Sequence, residues 1–234
     1  MKKVMKAVAT LMLMTVVVCA AGCKKEEIAD GDGITNGHTY VDLGLPSGTL
    51  WAACNVGATT PEGYGDYFAW GETQPKDTYN WSTYLYCMGS KNTLTKYCNN
   101  SDYGYNGFTD NLTTLQSSED AATANWGNGW RMPTIEQWRE LYQNTTNTWT
   151  VRNGVNGRLF TSPNGKSLFL PAAGNCWDDE LYLVGSGGDY WSSSLNTSSP
   201  SYCAWYLYLN SDYAGWGDGC DRSYGFSVRP VRVN

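Results

Sequence analysis

The chain has 234 residues, a formal net charge of −6 and only 16% charged side chains, set against 26 Gly, 17 Tyr and 11 Trp. That acidic balance deepens once Lys2, Lys3 and Lys6 of a leader are set aside, and it argues against nucleic acid as a partner, because neutralising phosphates takes an excess of Lys and Arg. Length and composition fit one loop-rich, mostly β domain of about 200 residues, aromatic inside and large enough for a real core.

Residues 1–22 place the three lysines before the apolar run Leu11 to Val18, the layout of an export signal too short for a stable membrane span. The run ends in Ala20-Ala21-Gly22-Cys23, which resembles a bacterial lipobox with Ala where Leu is preferred. Cys23 is then the acylated N-terminus and the sole membrane attachment. A plain secretory signal with an incidental cysteine is the alternative. Lys24-Lys25-Glu26-Glu27 resembles the tags that send lipoproteins to the outer face of the outer membrane, and it also reads as the start of a solvated tether, residues 23–38. With Cys19 and Cys23 set aside, Cys54, Cys87, Cys98, Cys176, Cys203 and Cys220 remain. Export permits disulfides, and Cys87 with Cys98 is the favoured local pair. The absence of CxxC spacing and the single His38 leave little for zinc. A structural metal held by carboxylates stays open, and no cofactor is expected.

One domain is expected over residues 39–234. Tyr40-Val41-Asp42-Leu43 and Leu50-Trp51-Ala52-Ala53-Cys54 read as strands around a Pro46-Ser47-Gly48 turn. The aromatic segment Tyr64 to Glu72 follows, then a polar stretch, 73–116, read as ordered loops. Ser117 or Ser118 is expected to cap a short helix through Ala121, Ala122 and Ala124 that ends at Trp126-Gly127. A second helix begins at Thr134, where Thr134-Ile135-Glu136-Gln137 is a capping box and Ile135, Trp138 and Tyr142 share a face. Pro163-Asn164-Gly165, between Leu159-Phe160 and Leu168-Phe169-Leu170, signals a hairpin. Arg229 and Arg232 are expected to pair with acidic residues beneath the loops. Two helices and several hairpins make the class α+β.

From Asp189 to Phe226 the chain contains no Lys, Glu, Gln or Met and is rich in Ser, Tyr, Gly and Asp. This is the palette of antibody-type paratopes, in which Tyr gives contact area for few rotors and Ser and Gly give adaptable hydrogen bonding. Cys203 to Asn210 alternates with period two, which predicts Trp205, Leu207 and Leu209 facing the core and Tyr206, Tyr208 and Asn210 on the opposite face. Tyr213 to Tyr224 has no periodicity and three glycines, and reads as an irregular loop. A recognition surface and an ordinary polar loop both fit this composition.

Six motifs in order, "YVDLGLPSGTLWAACNVGA", "YGDYFAWGE", "GWRMPTIEQW", "LPAAG", "YWSSS" and "GFSVRPVR", resemble the Fibrobacter succinogenes major paralogous domain from about Tyr40 to Arg232. The resemblance implies a C-type-lectin-like fold, shared with the formylglycine-generating enzyme group, with two helices, small twisted antiparallel sheets and a loop-rich binding face. Some such domains are similar to the variable proteins of diversity-generating retroelements, in which template adenines are mutated. Randomising an Asn AAC codon yields Ser, Tyr, Asp, Gly and Cys, among others, but never Lys, Glu, Gln, Met or Trp. The implied binding positions are Ser199, Ser201, Tyr202, Tyr206, Tyr208, Tyr213, Asp218, Cys220, Asp221, Ser223 and Tyr224. Gly215 is a further candidate, unless it, Gly217 and Gly219 serve positive φ instead. Trp216 is counted with the site although it does not fit an AAC origin, and it is also a scaffold candidate. Trp191, Trp205, Leu207, Val228 and Val231 are implied as framework.

The expected function is therefore a surface lipoprotein binding a protein or glycan on another cell, a phage or a host through its C-terminal face. A fixed-sequence adhesin or structural surface module is the alternative. An enzyme of the formylglycine-generating type is disfavoured, since Cys203 and Cys220 are far apart in sequence and nothing marks Asp178-Asp179-Glu180 for acid/base work. Calcium-dependent sugar binding is disfavoured because the EPN, QPD and WND triplets are absent.

Overall fold

The computed structural model describes residues 33–233; the expected export signal, Cys23 and the tether as far as residue 32 lie outside the described residues. Regular structure begins inside the stretch read as tether. Strands β1 (Gly33–Thr35) and β2 (His38–Val41) form a hairpin closed by Asn36 and Gly37, both at positive φ (50° and 81°), the geometry an Asn-Gly turn supplies. Regular structure among the described residues therefore already includes Gly33–Thr35, ahead of the expected start at residue 39. Strand β3 (Thr49–Ala52) follows the expected turn, in which the Gly48 amide donates to the Leu45 carbonyl at 2.9 Å, and pairs antiparallel with β2.

Strand β4 is the two-residue Tyr67–Phe68, and residues 73–116 are indeed mostly turns. Helix α1 (Ala121–Trp126) ends at Gly127, as expected, but its cap is Asp120. Ser117 and Ser118 lie in a preceding 3-10 turn. The Asp120 carboxylate accepts from the Thr123 amide at 2.9 Å and from the Met132 amide at 2.8 Å, so one acid closes a helix and ties down the next loop, which a serine hydroxyl is too short to do. Helix α2 (Ile135–Asn144) carries the predicted capping box, with Ile135, Trp138 and Leu141 buried.

Strands β5 (Thr146–Arg152), β6 (Val155–Thr161) and β7 (Ser167–Pro171) form a meander whose second turn is the predicted Asn-Gly hairpin, with Gly165 at φ 85°. A small hairpin, β8 (Asn175–Trp177) and β9 (Glu180–Tyr182), leads into β10 (Gly187–Leu195), β11 (Cys203–Asn210), β12 (Ala214–Asp221) and β13 (Phe226–Ser227). These last four join β4 in a five-stranded sheet of order β12-β11-β10-β13-β4, in which β10 and β13 run parallel. The last strand of the described residues, β14 (Val231–Val233), pairs with β3, so the first and last described strands share the β1-β2-β3-β14 sheet. Small antiparallel and mixed sheets with two α-helices among the described residues bear out the α+β, loop-rich class.

Two further expectations are corrected by the core. Arg229 is fully buried, and its guanidinium donates to Asn55 Oδ1 (2.8 Å) and to the carbonyls of Ala52 (3.1 Å) and Ala53 (2.8 Å) rather than to an acid. Arg232 donates to Thr35 Oγ1 and lies over the Tyr40 ring. Carbonyl oxygens match the guanidinium fork without the cost of desolvating a second ion. Cys87 and Cys98 do not pair, and all six cysteines of the described residues are free. The Cys87 thiol is turned to the Trp81 carbonyl (3.1 Å), and the Cys98 thiol to the Asn100 carbonyl of its own turn (3.1 Å).

Candidate binding face

The sheet β10-β11-β12 presents two faces with different chemistry. Residues directly across an antiparallel ladder share a face. One face, built from Tyr190, Leu207 and Trp216 and from Leu209 and Ala214, packs on α2 and the core beneath it. Trp216 thus belongs to the scaffold and not to the outward face. Its indole meets Tyr142 edge to face at 5.9 Å, and the Arg139 guanidinium of α2 lies 5.4 Å above it and 5.3 Å above Trp205. Trp205 keeps the inward register expected of it, but at the rim, where it is half-buried.

The other face aligns Trp191, Tyr206 and Gly217 in one row and Asp189, Tyr208 and Gly215 in the next. Tyr206 is half-buried, its ring set against Phe226 (5.2 Å) and Trp191 (6.2 Å), and burial pushes its phenol well above the usual range. Tyr208 lies 5.9 Å from Tyr213, which is 49% exposed, and accepts a hydrogen bond from Asn210 Nδ2 at 2.9 Å. The stretch read as an irregular loop is largely the strand β12. Its glycines serve contact more than φ. A Cβ at Gly217 would collide with the Tyr206 ring and one at Gly215 would sit 2.6 Å from the Tyr213 ring; only Gly219 has positive φ, 113°. The Tyr206 ring folded over its cross-strand partner Gly217, and the Tyr213 ring over Gly215 two residues on, replace the side-chain packing those glycines lack.

Asp189, buried beside Tyr208, accepts a hydrogen bond from Asn175 Nδ2 at 2.7 Å. Burial holds its carboxyl up to about 7, against the smaller opposing effect of that hydrogen bond. Asn175 belongs to β8, so this bond fixes the β8–β9 hairpin to the face. Next along the hairpin, the Trp177 ring lies 6.0 Å from Tyr224, which in turn approaches Phe226 at 6.4 Å. At the hairpin's far end, a Cβ at Gly187 would lie 3.6 Å from Leu183 and 3.7 Å from the Tyr208 ring.

A second aromatic group forms around Tyr202, with Tyr103 at 5.1 Å, Trp81 at 6.2 Å and Lys91 Nζ 4.7 Å over its ring; Trp81 Nε1 donates to Asp221 at 3.1 Å. Tyr206, Tyr208, Tyr213 and Tyr224 thus share one face, and Tyr202 with Asp221 a neighbouring group. Ser201 and Ser223 do not belong to the surface. They are 1% and 0% exposed, and Ser201 is hydrogen-bonded to Asn99 Oδ1 at 2.6 Å. Cys220 is half-buried, and burial raises its thiol far above the usual value, which leaves it unreactive. Ser199 is half-buried in the β10–β11 loop and accepts from Asn196 Nδ2; Asp218 lies in β12, its side chain outside what is described. Tyr206 and Tyr208 stand on the face opposite Leu207 and Leu209, as expected, but there they are half-buried against aromatic neighbours.

The sequence reading missed the hairpin. Trp177 to Val184 are eight consecutive exposed residues, including Trp177 at 47% and Leu183 at 48%. Its Leu-Tyr-Leu-Val run reads as a buried strand, and only the adjacent Asp-Asp-Glu hints that it is not. Two cavities, of about 480 Å³ beside Gln143, Thr145 and Ser162 and about 260 Å³ beside His38, Cys54 and Trp126, take no lining residue from Asp189–Phe226. Compared with protein-family models, with curated proteins and with solved structures, the chain matches none.

Proposed function

We propose that this protein is a surface-displayed lipoprotein with a C-type-lectin-like domain of the Fibrobacter succinogenes major paralogous type, which binds a protein or glycan through a diversified face on β10, β11 and β12. The observation that carries the reading is the division of residue types between the two faces of this sheet. On β11 and β12 one face holds Tyr206, Tyr208, Gly215 and Gly217, residues suited to a recognition surface, whereas the other holds Leu207, Leu209 and Trp216, which form the core against α2; Trp191, in the row of Tyr206 and Gly217, is buried framework. Variation on the first face leaves the second intact. Tyrosines supply the anchors, since their rings bury large area at low entropic cost. Cys23 supplies the membrane attachment.

Sequencing this locus in many cells of one population tests the proposal. Substitutions confined to codons 197–224, falling on 206, 208, 213 and 224 and sparing 205, 207, 209 and 216, are expected. A uniform gene would favour a fixed adhesin. One observation already leans that way, because the Tyr206 ring is packed against the stacked Trp191 and Phe226 as a framework residue would be.

A further inference from the structure

The β8–β9 hairpin has no assigned role, and its composition is unusual for a solvated loop. Five of its eight consecutive exposed residues are large and apolar: Trp177, Leu181, Tyr182, Leu183 and Val184. The other three, Asp178, Asp179 and Glu180, are acidic. Exposed apolar side chains so concentrated mark an interaction site. The hairpin is also held in place, by Asn175 on Asp189 (2.7 Å), by mutual backbone hydrogen bonds between Cys176 and Gly225 (2.8 and 2.9 Å), and by Asn80 Nδ2 on Asp178 (2.7 Å). Its rings continue those of the candidate face through Tyr224, and Leu183 and Tyr208 both lie beside Gly187.

Charge then decides what fits. Between Lys166 and Arg222 the chain has no Lys, Arg or His, yet it carries Asp178, Asp179, Glu180, Asp212 and Asp221. The ion pairs Glu72–Lys76, Glu119–Lys96, Glu136–Arg139 and Glu62–Arg152 do not take in the hairpin acids Asp178, Asp179 and Glu180, whereas Asp212 has the Arg158 guanidinium close by, on the Ser211 carbonyl, and Asp221 belongs to the group that holds Lys91. Arg222, the first cation after the stretch, is fully buried. Hairpin and tyrosine face together form an aromatic and aliphatic surface whose acidic rim is the exposed run Asp178, Asp179 and Glu180.

Building on the reading of β10–β12 as a binding face, the geometry points to the β8–β9 hairpin as its fixed half, one that docks a polypeptide surface rich in Lys and Arg around an apolar centre. Branched aliphatic side chains such as Leu181, Leu183 and Val184 favour apolar side chains over sugar hydroxyls, which need polar partners. The acidic rim repels anionic polysaccharide and steers basic protein toward the face. Within this division of labour the hairpin supplies constant apolar affinity, and the tyrosine face supplies discrimination.

Selection of a random peptide display library against the full chain tests this. Enriched peptides are expected to carry excess Lys and Arg with at least one apolar residue. Their affinity is expected to fall about tenfold for a W177S/L183S variant, as loss of a buried anchor does. It is also expected to weaken as salt rises to the roughly 0.15 M at which exposed charges are screened beyond about 8 Å, and a D179N/E180Q variant is expected to lose most of that dependence. The substituted residues are exposed, and matching thermal unfolding of wild type and variants verifies that the fold is kept. Neutral or acidic peptides, no enrichment, or affinity indifferent to W177S/L183S would overturn the inference, as would self-association of the chain that W177S/L183S abolishes in sedimentation velocity. A Y213S/Y224S variant separates the two readings. If it weakens peptide binding and W177S/L183S does not, the hairpin's role fails alone; if neither weakens it, the binding face fails with it.

Discussion

Asp189 shows how one buried carboxyl writes a pH signature into the whole domain. Its folded value of about 7 lies above the roughly 4 of an unfolded aspartate, so across that interval the native state holds a proton that the unfolded chain has released. The stability due to this group is complete below about pH 4 and is lost as pH rises through about 7. A shift of roughly three units at about 1.4 kcal/mol each caps the loss at ~4 kcal/mol. Asp189→Asn keeps an oxygen for Asn175 and removes the ionisation. The variant is therefore expected to gain on wild type in unfolding midpoint between pH 5 and pH 8, and parallel curves would refute the assignment. Arg229 is a different case, a buried cation whose partners are one amide and two carbonyls. Arg229→Lys has a single nitrogen to serve three acceptors spread over Asn55, Ala52 and Ala53. It is expected to cost about 3 kcal/mol, as breaking one member of a buried charged network does, read as a lower midpoint in urea unfolding.

At the scale of elements, β12 marks where sequence patterning stops being informative. Strands announce themselves by alternation, but the outward positions of β12 are Gly215 and Gly217, which erase the contrast and leave only Ala214 and Trp216 on the inward side. The strand is imposed from outside, by the ladder to β11 and by the tyrosine rings that cover the glycines. Gly217→Val, with far higher strand propensity, is consequently expected to destabilise by about 1–3 kcal/mol, because its side chain must displace the Tyr206 ring from Trp191 and Phe226. A stabilised variant would show that propensity outweighs this packing. Elements whose signals are local were legible: the capping box at Thr134, the Asn164-Gly165 hairpin and the end of α1 at Gly127. The Asn36-Gly37 turn carried the same signal, masked by the charged and Gly-rich residues before it. Long-range partners were not legible. Nothing near Arg229 in sequence names Asn55, and nothing near Asp189 announces that Asn175 fastens a hairpin there. The positions on the tyrosine face followed from alternation, whereas burial of Ser201 and Ser223 and the inward turn of Trp216 depend on loops and on a helix distant in sequence.

For the molecule as a whole, the division between the two faces of the β10-β11-β12 sheet implies that stability and recognition are separable to a degree that can be measured. The inward face holds Leu207 at 0% exposure against Trp138 and Tyr190 of the α2-side core, so Leu207→Ala deletes fully buried methyl groups where the close-packed aromatics have little room to collapse. A loss of about 2–5 kcal/mol is expected. Tyr208, Tyr213 and Tyr224 are exposed or half-buried on the other face, and what they contribute to folding is the contact between the Tyr208 and Tyr213 rings, the contacts of Tyr224 with Trp177 and Phe226, and the Asn210 bond. Replacing all three by Ser is expected to lower the urea midpoint less than the single Leu207→Ala substitution does, because each loses only part of a side chain's burial, on the order of 1 kcal/mol or below. A triple variant that unfolds earlier than Leu207→Ala would mean that the tyrosine face is part of the core. A surface so tied to the fold could not be rewritten without unfolding the domain, and the fixed-adhesin reading would then be the stronger one.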